Sequence, residues 1–275
     1  MGILLEIQKD EFLCGIQRSW YIVSPMARPW SRKKAKRQIR ESGRNKGRGG
    51  AFWNKEYKNK EHIVLSSNPS EDLVKFTRWL SRQHGGKYLN KIISILDLGC
   101  GNGRNLIYLA QQFGCHGVGF DISHEATAQA TRLSNDLPLE YETRTIAGPI
   151  PLPDQSQTIV LDMMTSHFLK EAERKILIGE IARVLRPDGW LFFKTFLRDE
   201  DQHAERFLRE NPAGEEGSYI HPIIGVSEHV FTEKEIYDFL GEYFIIHKTN
   251  KSHRHTRHGK AWKRRSISVY AQKKD

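Results

Sequence analysis

The sequence predicts an α/β fold built on a doubly wound parallel sheet, and three observations carry that prediction. Ile92 to Leu98 is an apolar, β-branched run with the length of a buried strand, and it leads into glycines at alternate positions, Gly99, Gly101 and Gly103. Arg104 to Phe113 (RNLIYLAQQF) then repeats apolar residues at helical spacing, so the glycines form a strand-to-helix turn. A second short strand, Gly117 to Ile122 (GVGFDI), follows, and strand and helix patterns alternate to the end of the chain.

The first 50 residues do not read as core. Between Met26 and Gly50 there are ten Lys or Arg against one acid, Glu41. Arg28 to Arg48 is too polar to bury a core and reads as part of a disordered or partly helical, basic arm over 1–50, of the kind that often binds nucleic acid. FWNKEYKN follows, with Trp53 and Tyr57, and then Ser70 to Gln83 (SEDLVKFTRWLSRQ), an amphipathic helix with a serine cap and apolar Leu73, Phe76 and Leu80.

The glycine turn itself excludes two common cofactors. A dinucleotide fingerprint G-x-G-x-x-G needs glycine at Arg104 or at Leu106, and neither register is met. A phosphate-binding P-loop needs Gly-Lys followed by Ser or Thr, whereas Lys87 is followed by Tyr88 and Lys260 by Ala261. Asp121, closing the second strand, can accept both hydroxyls of a ribose, which suits a nucleoside cofactor of either the NAD or the S-adenosylmethionine (SAM) type.

The segment ILDLGCGNG, residues 95–103, resembles motif I of the class I SAM-dependent methyltransferases. Ile150 to Asp154 (IPLPD), Thr158 to Met163 and Ile181 to Phe196 also follow the order that this superfamily shows for its fourth strand, fourth helix and fifth strand. The resemblance spans Phe52 to Gln272 and implies a mostly parallel, seven-stranded sheet with an antiparallel seventh strand and helices on both faces. Tyr243 to Thr249 and Ser266 to Gln272 then read as strands six and seven. It implies SAM as cofactor, held by Asp97, Gly99, Cys100, Gly101, Asn102, Gly103, Asp121, Ile122 and Ala147. It also implies that the helix from Ser70 covers the cofactor cleft, and that Trp53 and Tyr57 lie near the cofactor or pack the leading helix on the sheet. Two positions depart from the pattern. Ile146-Ala147 stands where an aspartate often contacts adenine, and Gln157-Thr158 replaces the Phe-Asp pair that usually opens the fourth strand.

The acceptor is less legible. Residues after the fourth strand touch substrate in this superfamily, which makes His167 a candidate general base or a wall of the pocket, and Asp162 a weaker base that can instead cap its strand. No Asn/Asp-Pro-Pro-Tyr/Phe motif occurs, which argues against exocyclic adenine methylation, and no cysteine pair suits attack at pyrimidine C5. The stretch 197–232 is expected to be an insertion or substrate lid with a solvated acidic start, RDEDQHAER, and with Tyr219, His221, Glu228 and His229 as substrate contacts. Asn250 to Arg265 is expected to be a basic hairpin rimming the site, where Lys263, Arg264 and Arg265 meet phosphates beside Trp262. Its histidines, His253, His255 and His258, read as a polar hairpin, and no metal site is expected.

Composition sets the remaining bounds. The 275 residues are 38% hydrophobic, enough for one domain over 51–275 with extensions. The formal charge of +10 is concentrated at the ends, since residues 247–275 again carry ten bases against one acid. Three cysteines without a C-x-x-C pair indicate neither a disulfide framework nor a zinc knuckle, and fit the cytoplasm. No stretch approaches the roughly 18 apolar residues of a membrane span. The expected function is methyl transfer to a small or phosphorylated acceptor. RNA or a ribonucleoprotein as acceptor, and a non-catalytic nucleic-acid binding role, stand as alternatives.

Overall fold

Strands that run apolar on both faces belong at the centre of a covered sheet, and here they do. In the computed structural model, which describes residues 48–59, 66–223, 225–253, 256–258, 260–261 and 263–275, seven strands form one sheet. They are β1 (Ser94–Leu98), β2 (His116–Asp121), β3 (Leu139–Thr143), β4 (Gln157–Met163), β5 (Leu185–Phe196), β8 (Phe244–Lys251) and β11 (Ser266–Lys273). Their order is β3-β2-β1-β4-β5-β11-β8. Neighbours from β3 to β5 pair in parallel, and β11 pairs antiparallel with both β5 and β8. Strands six and seven of the sequence reading are β8 and β11. The third strand, LEYET, was not foreseen: it is an edge strand with exposed Glu140, Glu142 and Thr143, so it lacks the apolar run that marks its neighbours.

Side chains alternate across the sheet and feed two apolar layers. Leu96, Leu98, Val160, Leu191 and Phe193 join Leu177, Ile178 and Ile181 of helix α5 (Glu171–Val184). Ile95, Ile159, Leu161, Trp190 and Phe192 join Leu106 and Leu109 of α3 (Arg104–Phe113) and the apolar stripe of α2 (Glu71–His84). Phe76 stacks on Phe192 at 5.0 Å and meets Tyr270 at 4.9 Å. The start of α2 lies beside α3, since Ser70 N donates to Asn105 Oδ1 at 3.1 Å. Leu73, Phe76 and Leu80 all point into the aromatic layer on β5 and β11, and that consumes the apolar face of α2.

Helix α1 (Arg48–Asn59), which begins inside the stretch expected to be arm, also flanks the glycine turn, with Tyr57 against Gly101. Its Asn54 Oδ1 accepts from Ser123 Oγ at 2.9 Å, and Gln129 of α4 (His124–Leu133) donates to the Tyr57 carbonyl at 2.8 Å. The arm up to residue 47, together with Arg254, His255 and Trp262 of the basic hairpin, lies outside the described residues.

The 197–232 stretch is more structured than expected. It forms α6 (Gln202–Glu210) and a two-stranded antiparallel sheet of β6 (Ser218–Ile220) and β7 (Ser227–His229), followed by α7 (Glu233–Gly241). Its acidic start is not solvated throughout, because Asp201 is buried and caps α6, accepting from His203 N at 2.9 Å. Strands β9 (Thr256–Arg257) and β10 (Lys260–Ala261) form a short hairpin between β8 and β11. Among the described residues no helix is long and apolar enough to cross a membrane.

Candidate active site

The turn after β1 can be built only with glycine. Gly99 and Gly101 have φ of 72° and 57°, in the left-handed region that side chains disfavour. A Cβ on Gly99 would lie 2.3 Å from Thr165 Cγ2, and one on Gly101 would lie 2.3 Å from the Tyr57 hydroxyl. Two walls thus close on bare backbone, the start of the turn after β4 on one side and α1 on the other. Gly103 caps α3, and Asn102 Nδ2 ties the turn to the Ser66 carbonyl at 3.1 Å.

Two carboxylates face this turn. Asp121, at the end of β2, accepts from Gly101 N at 2.9 Å and from Ser123 N at 2.8 Å, which fixes both oxygens. Burial raises its pKa, against the opposing pull of those backbone bonds. Asp97 is buried at 1% exposure, and its Oδ2 has no hydrogen-bond partner. Burial first, then the charge of Asp121, pushes its pKa up to about 7. Burial also raises the Cys100 thiol and the Tyr57 phenol. Ile122 stays 39% exposed beside the turn, and Ala147 donates its N–H to Thr145 Oγ1 at 3.0 Å.

The second half of the site lies beyond β4. Asp162 is buried and accepts from Ser166 N at 3.1 Å, so it starts the 3-10 turn Ser166–Phe168. Its pKa rises to about 6 through burial, opposed by those bonds to Ser166. That geometry fits the capping alternative for Asp162. His167 is buried at 1% exposure, with neither ring nitrogen partnered, and burial lowers its pKa to about 4. Burial thus favours the uncharged imidazole, a form that can accept a proton or serve as a wall of the pocket. It packs on Phe168 at 4.2 Å and Phe196 at 5.5 Å, while Trp53 of α1 meets Phe168 at 5.7 Å.

The residues named in the insertion and the basic hairpin converge, but on one another. Tyr219 and Glu228 sit opposite each other on β6 and β7, and the phenol donates to the carboxylate. Arg264 Nη1 reaches Tyr219 Oη at 2.6 Å and Glu228 Oε1 at 3.0 Å, its Nε reaches Asp201 Oδ2 at 3.0 Å, and its guanidinium lies 4.1 Å over the Phe196 ring. Arg265 is buried and paired with Glu200. Arg264 and Arg265 therefore do not rim the site as exposed phosphate contacts, because acids of the insertion take up their charge; Lys263 remains exposed. His229 is likewise committed, bridging Ser218 Oγ at 2.9 Å and Glu235 Oε1 at 2.7 Å, and half-buried His221 Nδ1 accepts from Ile223 N at 3.2 Å. Sequence reasoning missed Asp201, although an aspartate before a helical run is a cap signal. It also missed Thr165 and Phe196, whose places follow only from the fold.

The sheet order, the glycine turn with Asp97 and Asp121, and the turn after β4 together define a class of protein. Residues 95–189 match the family described as "Methyltransferase domain". A SAM-dependent methyltransferase structure from Methanosarcina mazei superposes with a TM-score of 0.57 at 28% identity, covering 68% of this chain and 94% of that one. The chain is 26% identical to glycine/sarcosine/dimethylglycine N-methyltransferase of Actinopolyspora halophila, over 68% of its own length and 34% of the relative's. It is 31% identical to fatty-acid O-methyltransferase of Mycolicibacterium smegmatis, over 43% of each protein. It thus spans less than half the length of these curated relatives. Residues 95–189 thus form a methyltransferase domain of the class I SAM-dependent superfamily, whose cofactor is SAM.

The residues present fit that cofactor. An unpaired, buried carboxylate oxygen on Asp97 suits a cationic ligand. The Asp121 oxygens accept one backbone N–H each and keep lone pairs for hydroxyl donors.

Proposed function

We propose that this chain transfers the SAM methyl group to a small-molecule acceptor. Asp97 and the Gly99–Gly103 turn would hold the amino-acid end of SAM, Asp121 its ribose, and Ile122 and Ala147 would flank its adenine. Bound SAM supplies a methyl on a sulfonium, already activated for displacement by an acceptor lone pair, so the protein's main task is alignment. Helix α1, with Tyr57 at the turn and Trp53 on Phe168, would keep water from the reacting groups. Asp162 would hold the 3-10 turn in place. His167, being neutral, would position the acceptor by hydrogen bonding.

The observation that carries a small acceptor is enclosure. His167, Tyr219 and Glu228 are all buried, and Arg264 is largely so, and none of them is presented on an open face along which a polymer would lie. The two relatives described above are named for small acceptors. The RNA reading loses two of its cations to internal ion pairs. The test is to incubate the full chain with methyl-labelled SAM and cell extract separated into small-molecule, protein and RNA fractions. Label in the small-molecule fraction is expected, and label confined to RNA or protein refutes the reading.

A further inference from the structure

Buried polar groups in folded proteins almost always have hydrogen-bond partners, and each exception calls for an explanation. Two exceptions meet at one ring. His167, whose Nδ1 and Nε2 are both unpartnered, packs at the Phe196 ring, and so does Arg264, whose Nη2 is buried and unpartnered.

The rest of the Arg264 head is fixed. Asp201 holds Nε, Glu228 and Tyr219 hold Nη1, and Phe196 supports the plane, so the free Nη2 edge is rigid before any ligand arrives. The two acids do not spend themselves on Arg264 alone. Asp201 also accepts the backbone N–H groups of Arg265 and His203, and Glu228 also accepts the Tyr219 hydroxyl. Arg174, buried and paired with Glu215 at 3.6 Å, also acts on His167, as does the Glu228 carboxylate.

We propose that the Nη2 edge of Arg264 and the His167 ring bind the carboxylate of the methyl acceptor. The proposal rests on the methyl-transfer reading and narrows its substrate class to small carboxylates. The open groups are mainly donors: Nη2 carries two N–H bonds and a neutral imidazole one, a set that matches the oxygens of a planar carboxylate and opposes an ammonium group. The position suits an acceptor, since Thr165, two residues before His167, lies against Gly99 of the cofactor turn.

The test gives the full-length protein methyl-labelled SAM with glycine, sarcosine or dodecanoate, each beside its amide, with inorganic phosphate as a competitor. At least one acid should be methylated, with a KM roughly ten- to a hundredfold below that of its amide. Arg264→Lys keeps a cation between Asp201 and Glu228 but removes the Nη2 edge, and His167→Phe keeps the ring packing but removes both nitrogens. Each should raise the KM for the acid by a similar factor while SAM affinity, read by calorimetry, stays at the wild-type value. If Arg264→Lys does not fold, His167→Phe carries the comparison. The proposal is overturned by equal use of acids and amides, by an unchanged KM in a folded variant, by phosphate competing more strongly than the acids, or by a SAM-binding protein that labels no carboxylate. Failure to bind SAM would instead bring down the methyl-transfer reading beneath it, and the calorimetry separates the two cases.

Discussion

Asp97→Asn should make the ligand-free protein more stable and the cofactor bind less well. The carboxylate is buried with one oxygen unpaired, and its pKa is raised from 3.8 to about 7. A carboxyl group whose folded pKa lies above its unfolded value favours folding most below the unfolded pKa, and that contribution is lost as pH rises through the folded one. The wild type should therefore lose stability between about pH 4 and pH 7, by up to about 4 kcal/mol for a shift of this size. Asparagine resembles the protonated acid in shape and charge, so the variant escapes this loss. Chemical denaturation of both proteins without SAM should show the variant ahead by a few kcal/mol at pH 8 and the gap closing towards pH 4. Calorimetry at pH 8 should show weaker SAM binding by the variant, because the carboxylate that met a cation is gone. A variant no more stable than wild type at pH 8, or a gap that does not change with pH, refutes the reasoning.

Three further variants probe other parts of the account. Gly101→Val places a side chain against the Tyr57 hydroxyl at a φ of 57°, so SAM binding should vanish in calorimetry while the far-ultraviolet circular dichroism keeps its α/β form. Asp201→Ala takes one of the two acids from a largely buried Arg264 and should cost about 3–5 kcal/mol in denaturant titration. Phe76→Ala should cost about 3–5 kcal/mol through the cavity it leaves against Phe192 and Tyr270. Its SAM affinity should match wild type, since the Phe76 ring packs on the sheet against Phe192 and Tyr270.

What could be read from the sequence follows from where information is local. Strands β1, β4 and β5 are covered on both faces and announce themselves as apolar runs, and three alternate glycines after an acid can serve few purposes. Edge strand β3 alternates polar residues and stays silent. The cofactor turn is a contiguous motif. The acceptor side is assembled from segments far apart in the chain: Arg264 is held by Asp201 and Glu228, 63 and 36 residues away. A run such as KRR reads as exposed charge for phosphates until the fold brings the acids to it. The burial of His167 was hidden for the same reason, since its neighbour Phe196 belongs to another strand.

Calorimetric titration of the wild type and of Asp121→Ala with SAM, its demethylated product and NAD tests the central claim most directly. Asp121 is fixed by two backbone N–H donors and is expected to accept the ribose hydroxyls. The account predicts that the wild type binds SAM and its product but not NAD, and that Asp121→Ala loses roughly ten- to a hundredfold in affinity for both. Equal SAM binding by the two proteins, or preferential binding of NAD, would contradict it.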